Sequence, residues 1–192
     1  MKKQRNTNET QISMMLEPYG SGQTSISTGI GFFDHMLEQL AYHAGWDLDI
    51  KAKGDLHIDD HHLVEDVAIV LGECLFEFMQ SAYKQQSGFQ RYGQSLLPMD
   101  ETLIMVSIDL CNRATFVTDL SFSREMVGQF STEMIIHFLK TLSANGRFSL
   151  HIKQVWSKNT HHLAEAVFKG TGRAMREALK VEAATRSTKG VM

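Results

Sequence analysis

Cysteine is scarce in this chain. Cys74 and Cys111 are the two among 192 residues, and neither has the spacing of a metal-ligand pair. Cys74 falls inside a helical apolar pattern and Cys111 at a strand end, so both read as buried free thiols. Long apolar runs are also missing. The best stretch, Ala68 to Leu75, is broken by Glu73, which excludes a membrane span. The start, Met1-Lys2-Lys3-Gln4-Arg5-Asn6, leads into no apolar segment, which argues against a signal peptide. A soluble, cytoplasmic protein is the expectation. Nor is there a basic excess: 19 Lys and Arg against 22 Asp and Glu give a formal charge of −3, so no global field recruits nucleic acid.

What the chain does have is a 43% apolar composition, enough for a sizeable core, and nine histidines. Four of those histidines stand in two matching clusters. His61-His62-Leu63-Val64-Glu65-Asp66 is echoed 100 residues later by His161-His162-Leu163-Ala164-Glu165-Ala166. Each cluster opens a long helical pattern. On a helix, His61 and Glu65 are i, i+4 and share a face, while His62 is turned about 100° away. One cluster therefore cannot aim all three side chains at a single ion. It offers a His/Glu pair to one metal and a lone His to another.

The expectation is reciprocal: His61, Glu65 and His162 serve one ion, and His161, Glu165 and His62 the other. His35 and His137, which sit at matching places in an earlier helix of each half, would complete the sets. Imidazole and carboxylate without thiolate suit Mn²⁺, Fe²⁺, Zn²⁺ or Co²⁺ and do not choose among them. A single such cluster could be no more than a capped, solvated helix start. Two in register are harder to dismiss.

The intervening segments repeat as well. Residues 3–16 read as one strand carrying Glu9, with Ile12, Met14 and Leu16 alternating against Gln11, Ser13 and Met15. A turn at Pro18-Tyr19-Gly20-Ser21-Gly22 precedes a short strand over 23–29. A helix over 32–44 carries His35 and His43, which can share a side, and Gly45 is a plausible C-cap. Trp46 to Lys53 alternates as a strand with one wet face. Asp59 or Asp60 then caps the helix that runs to about Tyr83.

The second half follows the same order. Strands are expected near 102–110 and 113–120, a helix over about 131–143 closed by Asn145-Gly146, a strand from Phe148, and a last helix over 161–180 capped by Asn159 or Thr160. In the 102–110 strand either Leu103 and Met105 or Ile104, Val106 and Ile108 face inward. The fold class is therefore α+β, with two duplicated halves at 1–88 and 89–181, each a mostly antiparallel sheet with two helices. Composition marks the tail, 182–192, as disordered. Among the basic residues, Arg113 and Lys169 are best placed to meet an anionic substrate group. Glu9, Asp100 and Glu101 are acid/base candidates only once a site is assumed.

Four stretches resemble the imidazoleglycerol-phosphate dehydratases. They are Thr28-Gly29-Ile30-Gly31-Phe32-Phe33-Asp34-His35-Met36-Leu37, Gly54 to Asp66, Asn159 to Lys169, and Ser187-Thr188-Lys189-Gly190-Val191. The resemblance spans essentially the whole chain. It implies dehydration of imidazole glycerol phosphate to imidazole acetol phosphate in histidine biosynthesis, through an imidazolate held between two metal ions. It implies two Mn²⁺ per active site and a duplicated fold like the second domain of ribosomal protein S5. It also implies an assembly of 24 subunits built from trimers, with sites between subunits.

By position it makes His35, His61, His62, Glu65, His137, His161, His162 and Glu165 metal ligands. Arg91, Arg113, Lys169, Ser187 and Lys189 would hold phosphate, with His43 and His35 also near substrate. Glu9 would be the catalytic acid/base, beside Glu65 and Glu165. The tail would then order over substrate. Gly170 and Gly172 depart from the alanines more usual in a long helix, at an expected cost of about 1 kcal/mol each. No phosphatase domain is expected from the length. Two rival readings stand beside this one: a dinuclear metallohydrolase of a phosphate ester, and a metal-bridged, non-enzymatic oligomer.

Overall fold

The structure, a computed structural model, describes residues 1–84 and 88–182. In chain order its elements are β1 (Lys2–Asn6), β2 (Thr10–Glu17), β3 (Thr24–Ser27), α1 (Gly31–Ala44), β4 (Asp47–Gly54), α2 (His61–Lys84), β5 (Gly88–Phe89), β6 (Tyr92–Met99), β7 (Thr102–Asp109), β8 (Thr115–Thr118), β9 (Met126–Val127), β10 (Phe130–Ser131), α3 (Thr132–Gly146), β11 (Ser149–Trp156), α4 (Thr160–Ala178) and β12 (Val181–Glu182). The class is α+β, as expected.

Two four-stranded sheets share one topology. The first runs β1-β2-β4-β3 and the second β6-β7-β11-β8. In each, the first three strands are antiparallel and the last is parallel to its neighbour: β3 to β4, and β8 to β11. The duplication read from the histidine clusters is therefore also a duplication of strand order.

Period-two patterning decides which face is inside. Ile12, Met14 and Leu16 on β2 and Leu48, Ile50 and Ala52 on β4 point to the core. On β7 the inward set is Ile104, Val106 and Ile108, which resolves the phase left open above. Helices α1 and α2 cover the inner face of the first sheet, and α3 and α4 that of the second. The helices also pack across the halves, α1 on α4 and α2 on α3, so four helices lie between two sheets. Phe33, Phe130, Phe138 and Phe168, all fully buried, stitch that middle layer together.

Residues 3–16 are not one strand. The chain turns between β1 and β2, and Glu9 sits in that turn. The Thr7 hydroxyl accepts from the amides of Glu9 (3.2 Å) and Thr10 (2.9 Å), which is a local alternative to the ladder. Buried Asp66 then receives Arg5 Nε at 2.7 Å and the Thr10 hydroxyl, fastening the hairpin to α2. Strand β6 was not anticipated. Its inward residues are Gly93, Ser95 and Leu97, too weak a pattern to stand out, and Pro98 is tolerated because β6 is an edge strand. Helix α3 runs three residues past 143, to Gly146, and ends at Arg147 in the left-handed region (φ 53°).

The expected cost of Gly170 and Gly172 needs correction. A Cβ on Gly172 would lie 2.5 Å from the Leu40 carbonyl oxygen, and one on Gly170 would lie 2.6 Å from Ile104 Cδ1. These glycines let α4 touch α1 and the second sheet. Gly72, seven residues after Glu65 as Gly172 is after Glu165, plays the same part at the α2–α3 crossing, where an added Cβ would lie 2.9 Å from the Leu142 oxygen.

Candidate metal centre

Both histidine clusters begin a helix, and each beginning is capped. Asp59 Oδ1 accepts from the His61 amide at 2.9 Å. Asn159 Oδ1 accepts from the amides of His161 (2.9 Å) and His162 (3.4 Å). Asp60, the other candidate cap, instead takes the Ser131 amide at 2.7 Å and so ties the start of α2 to the start of α3.

Parallel packing across the halves then brings a third residue to each i, i+4 pair. On α3, His137 Nε2 lies 3.1 Å from Glu65 Oε1, and its ring centre is 4.6 Å from that of His61. On α1, His35 Nε2 lies 3.9 Å from Glu165 Oε1. His161 Nε2 lies 3.2 Å from Glu165 Oε2. Two triads result, His61–Glu65–His137 and His35–His161–Glu165, each with one donor atom per residue and all donors within 4.8 Å of one another. Donors bound side by side on an ion at about 2.1 Å stand about 3 Å apart, so each triad closes on a cation with side-chain adjustment alone. Two imidazoles and one carboxylate fit a divalent transition ion and exclude a site built for thiolate ligands.

The remaining two expected ligands are elsewhere in the chain. His62 and His162 do not join the triads of their own chain, as their 100° offset requires. His62 Nδ1 faces Asp55 Oδ2 at 3.0 Å, with Glu9 Oε2 at 3.8 Å. His162 Nδ1 faces Glu101 Oε2 at 2.8 Å. The hydrogen bond that His62 donates to Asp55 raises the His62 pKa against its desolvation, and the one to Glu101 does the same for His162. Glu101 is itself held down to about 2 by His162 and by the amides of Asn159 and Lys158. Asp55 was not singled out from the sequence. Its signal was an acid in the loop just before the first cluster.

Glu165 is buried, which pushes its carboxyl up, but the Lys169 ammonium 2.6 Å from Oε1 outweighs this and lowers it. His43 shares the α4-facing side of α1 with His35, as expected. Burial, then Lys169 and Arg173, push its pKa down. Arg91 grips Asp109 through two contacts, of 2.7 and 3.1 Å. Arg113 is exposed and reaches the Cys111 carbonyl at 3.3 Å. Ser187 and Lys189, with the tail from 183, lie outside the described residues.

A cleft of about 620 Å³ opens beside His61, lined by Ile30, Leu56, Ser131 and Met134. A concavity of about 640 Å³ on the outer face of the second sheet, lined by Leu96, Met105 and Val117, lies on the side away from both triads.

The family model for imidazoleglycerol-phosphate dehydratase matches residues 28–175. The chain belongs to the imidazoleglycerol-phosphate dehydratase family. A dehydratase of that name from Campylobacter concisus is 48% identical over 190 residues, covering 98% of this chain and 95% of its own. The Caldicellulosiruptor saccharolyticus protein is 42% identical over 190 residues, with coverage of 98% and 96%. The crystal structure of the Staphylococcus aureus dehydratase superposes with a TM-score of 0.84 at 38% identity, covering 94% of this chain and 98% of that one. The Pyrococcus furiosus enzyme in complex with (S)-C348 gives 0.84 at 36%, covering 99% and 100%. Membership makes the chain a hydro-lyase of histidine biosynthesis and sets aside the metallohydrolase and non-enzymatic readings. Among the described residues, no helix is long and apolar enough to cross a membrane.

Proposed function

We propose that this chain dehydrates D-erythro-imidazole glycerol phosphate to imidazole acetol phosphate in the cytoplasm. It would use two Mn²⁺ per active site in an assembly of 24 subunits. The observation that carries the reading is the pair of His₂Glu triads, each assembled from both halves with all donors within 4.8 Å. His62 and His162, turned away from their own triads, are free to complete ligand sets in neighbouring copies, and this supports sites shared between subunits. The two repeats would be 1–88 and 89–181, with the tail from 182 ordering over substrate.

The chemistry expels the hydroxyl on the carbon beside the imidazole as water, removes a proton from the next carbon along, and leaves an enol that becomes the ketone. The departing proton is barely acidic, and no carbonyl is present to stabilise the carbanion. When bound, the two cations supply the Lewis acidity that holds the ring as an anion between them. Glu65 and Glu165 would hold those cations, one in each triad. Glu9, in its turn 3.8 Å from His62, would move protons at the reacting carbons.

Lys169 now neutralises Glu165. With Glu165 holding a cation, the Lys169 ammonium would turn to the substrate phosphate, together with Arg91, Arg113, Ser187 and Lys189. His43 lines the same side.

The test is a dehydratase assay of metal-stripped protein, restored with Mn²⁺, Zn²⁺ or Fe²⁺ in turn. Turnover returning with Mn²⁺ supports the reading. Full turnover in stripped protein sinks it. Glu9→Gln should retain metal and substrate and lose most turnover.

A further inference from the structure

Each triad is explained by the ligands it contains, but two side chains beside them are not. Asp55 lies in the loop between β4 and α2, and Glu101 in the turn between β6 and β7. Each presents a carboxylate oxygen to Nδ1 of the second histidine of a cluster: Asp55 to His62 at 3.0 Å, and Glu101 to His162 at 2.8 Å. A carboxylate at that distance accepts, so Nδ1 carries the hydrogen and Nε2 keeps its lone pair. In His162, Nε2 has Asp100 Oδ2 at 3.6 Å, beyond hydrogen-bond reach, and is left available.

The two carboxylates are not copies of one another. After β11, where the second half would carry the counterpart of Asp55, stand Ser157 and Lys158. In the first half the turn that corresponds to Glu101 carries Glu9, 3.8 Å from His62. The two repeats thus reach the same contact, carboxylate to Nδ1, from different elements. A fold that merely duplicated a polar surface would not do this. The contact also differs in stiffness. Glu101 is pinned by the amides of Asn159 (3.0 Å) and Lys158 (3.4 Å). Asp55 has no such pair of amides among the described residues, and its side-chain partner is His62.

We propose that Asp55 and Glu101 are positioning residues. They fix the tautomer and aim of His62 and His162, so that each delivers Nε2 to a metal ion completed by another copy of the chain. This rests on the proposed reading that both histidines are ligands.

The experiment titrates full-length, metal-stripped chain with Mn²⁺ and follows free Mn²⁺ by electron paramagnetic resonance. It compares wild type, Asp55→Asn, Glu101→Gln, His62→Ala and His162→Ala, and records the thermal midpoint of each metal-free protein. The expected result is about 10–100-fold weaker binding of one of the two ions in Glu101→Gln, and of the other in Asp55→Asn. The metal-free midpoint of Asp55→Asn should be unchanged. A lower metal-free midpoint with wild-type affinity in both variants reduces the carboxylates to loop fasteners and overturns the proposal. Should Glu101→Gln fail to fold, Asp55→Asn decides alone. If the two His→Ala variants bind both ions as wild type does, the ligand reading itself fails and the positioning role falls with it.

Discussion

Gly172→Ala separates intrinsic helix preference from tertiary packing. By propensity alone, alanine in the middle of α4 should stabilise by about 1 kcal/mol. The structure predicts the opposite. The added Cβ would stand 2.5 Å from the Leu40 oxygen, 3.0 Å from the Ala44 nitrogen and 3.1 Å from His43 Cβ. Two of those three atoms are backbone and cannot rotate away. To recover an ordinary contact of 3.4 Å, α1 must retreat by 3.4 − 2.5, or about 0.9 Å, at that point.

Overpacking of this kind costs about 1–3 kcal/mol, and rigid neighbours favour the upper end. Set against the gain in propensity, the net loss is roughly 1–2 kcal/mol, a fall in midpoint of about 2–8 °C for a chain of this size. Scanning calorimetry of the metal-free protein measures it. The retreat of α1 also carries His35 away from His161 and Glu165, so affinity should weaken at that triad and hold at His61–Glu65–His137. A raised midpoint, or equal weakening at both triads, would refute the reasoning.

Phe138 stacks on Phe168 at 5.5 Å and meets Phe33 edge-on at 5.4 Å, joining three helices. Phe138→Ala should cost about 3–5 kcal/mol in denaturant unfolding, and a loss under 1 would show that the middle layer can collapse. Asp47 is held below the usual carboxylate range by the amides of Gln23 and Ser21. Its stabilising charge is fully present above the unfolded value of about 3.9 and disappears as pH falls through the folded value. The midpoint gap between wild type and Asp47→Asn should therefore be largest near neutrality and close below about pH 4. His137→Ala should remove one ion while leaving His35–His161–Glu165 loaded, as read by metal analysis; simultaneous loss of both would contradict two independent triads.

Much of the fold was legible because the repeat is written in the sequence. Clean alternation at Ile12, Met14 and Leu16, and the paired clusters 100 residues apart, carry through to matching strand orders. Three things were not legible, for separate reasons. Glu9 looked like a strand residue because a Thr7 hydroxyl that captures amides leaves no trace in hydrophobic periodicity. Strand β6 was silent because glycine and serine fill two of its three inward positions, Gly93 facing the α4 backbone directly. The partner of each His/Glu pair was undecided because it depends on which helices cross. Spacing showed that His62 and His61 diverge, yet it did not reveal that His137 meets the first pair and His35 the second.

Since each triad borrows one histidine from the opposite repeat, a solitary half would bind nothing well. A half-length forebear, joined to an identical twin about a two-fold axis, would already have owned two equal pockets. Covalent fusion fixed the twins at one-to-one and released each from having to mirror the other. That licence is visible on the outer surfaces, where Gln11, Ser13 and Lys51 clothe one sheet while Leu96, Met105 and Val117 lie bare on its sibling.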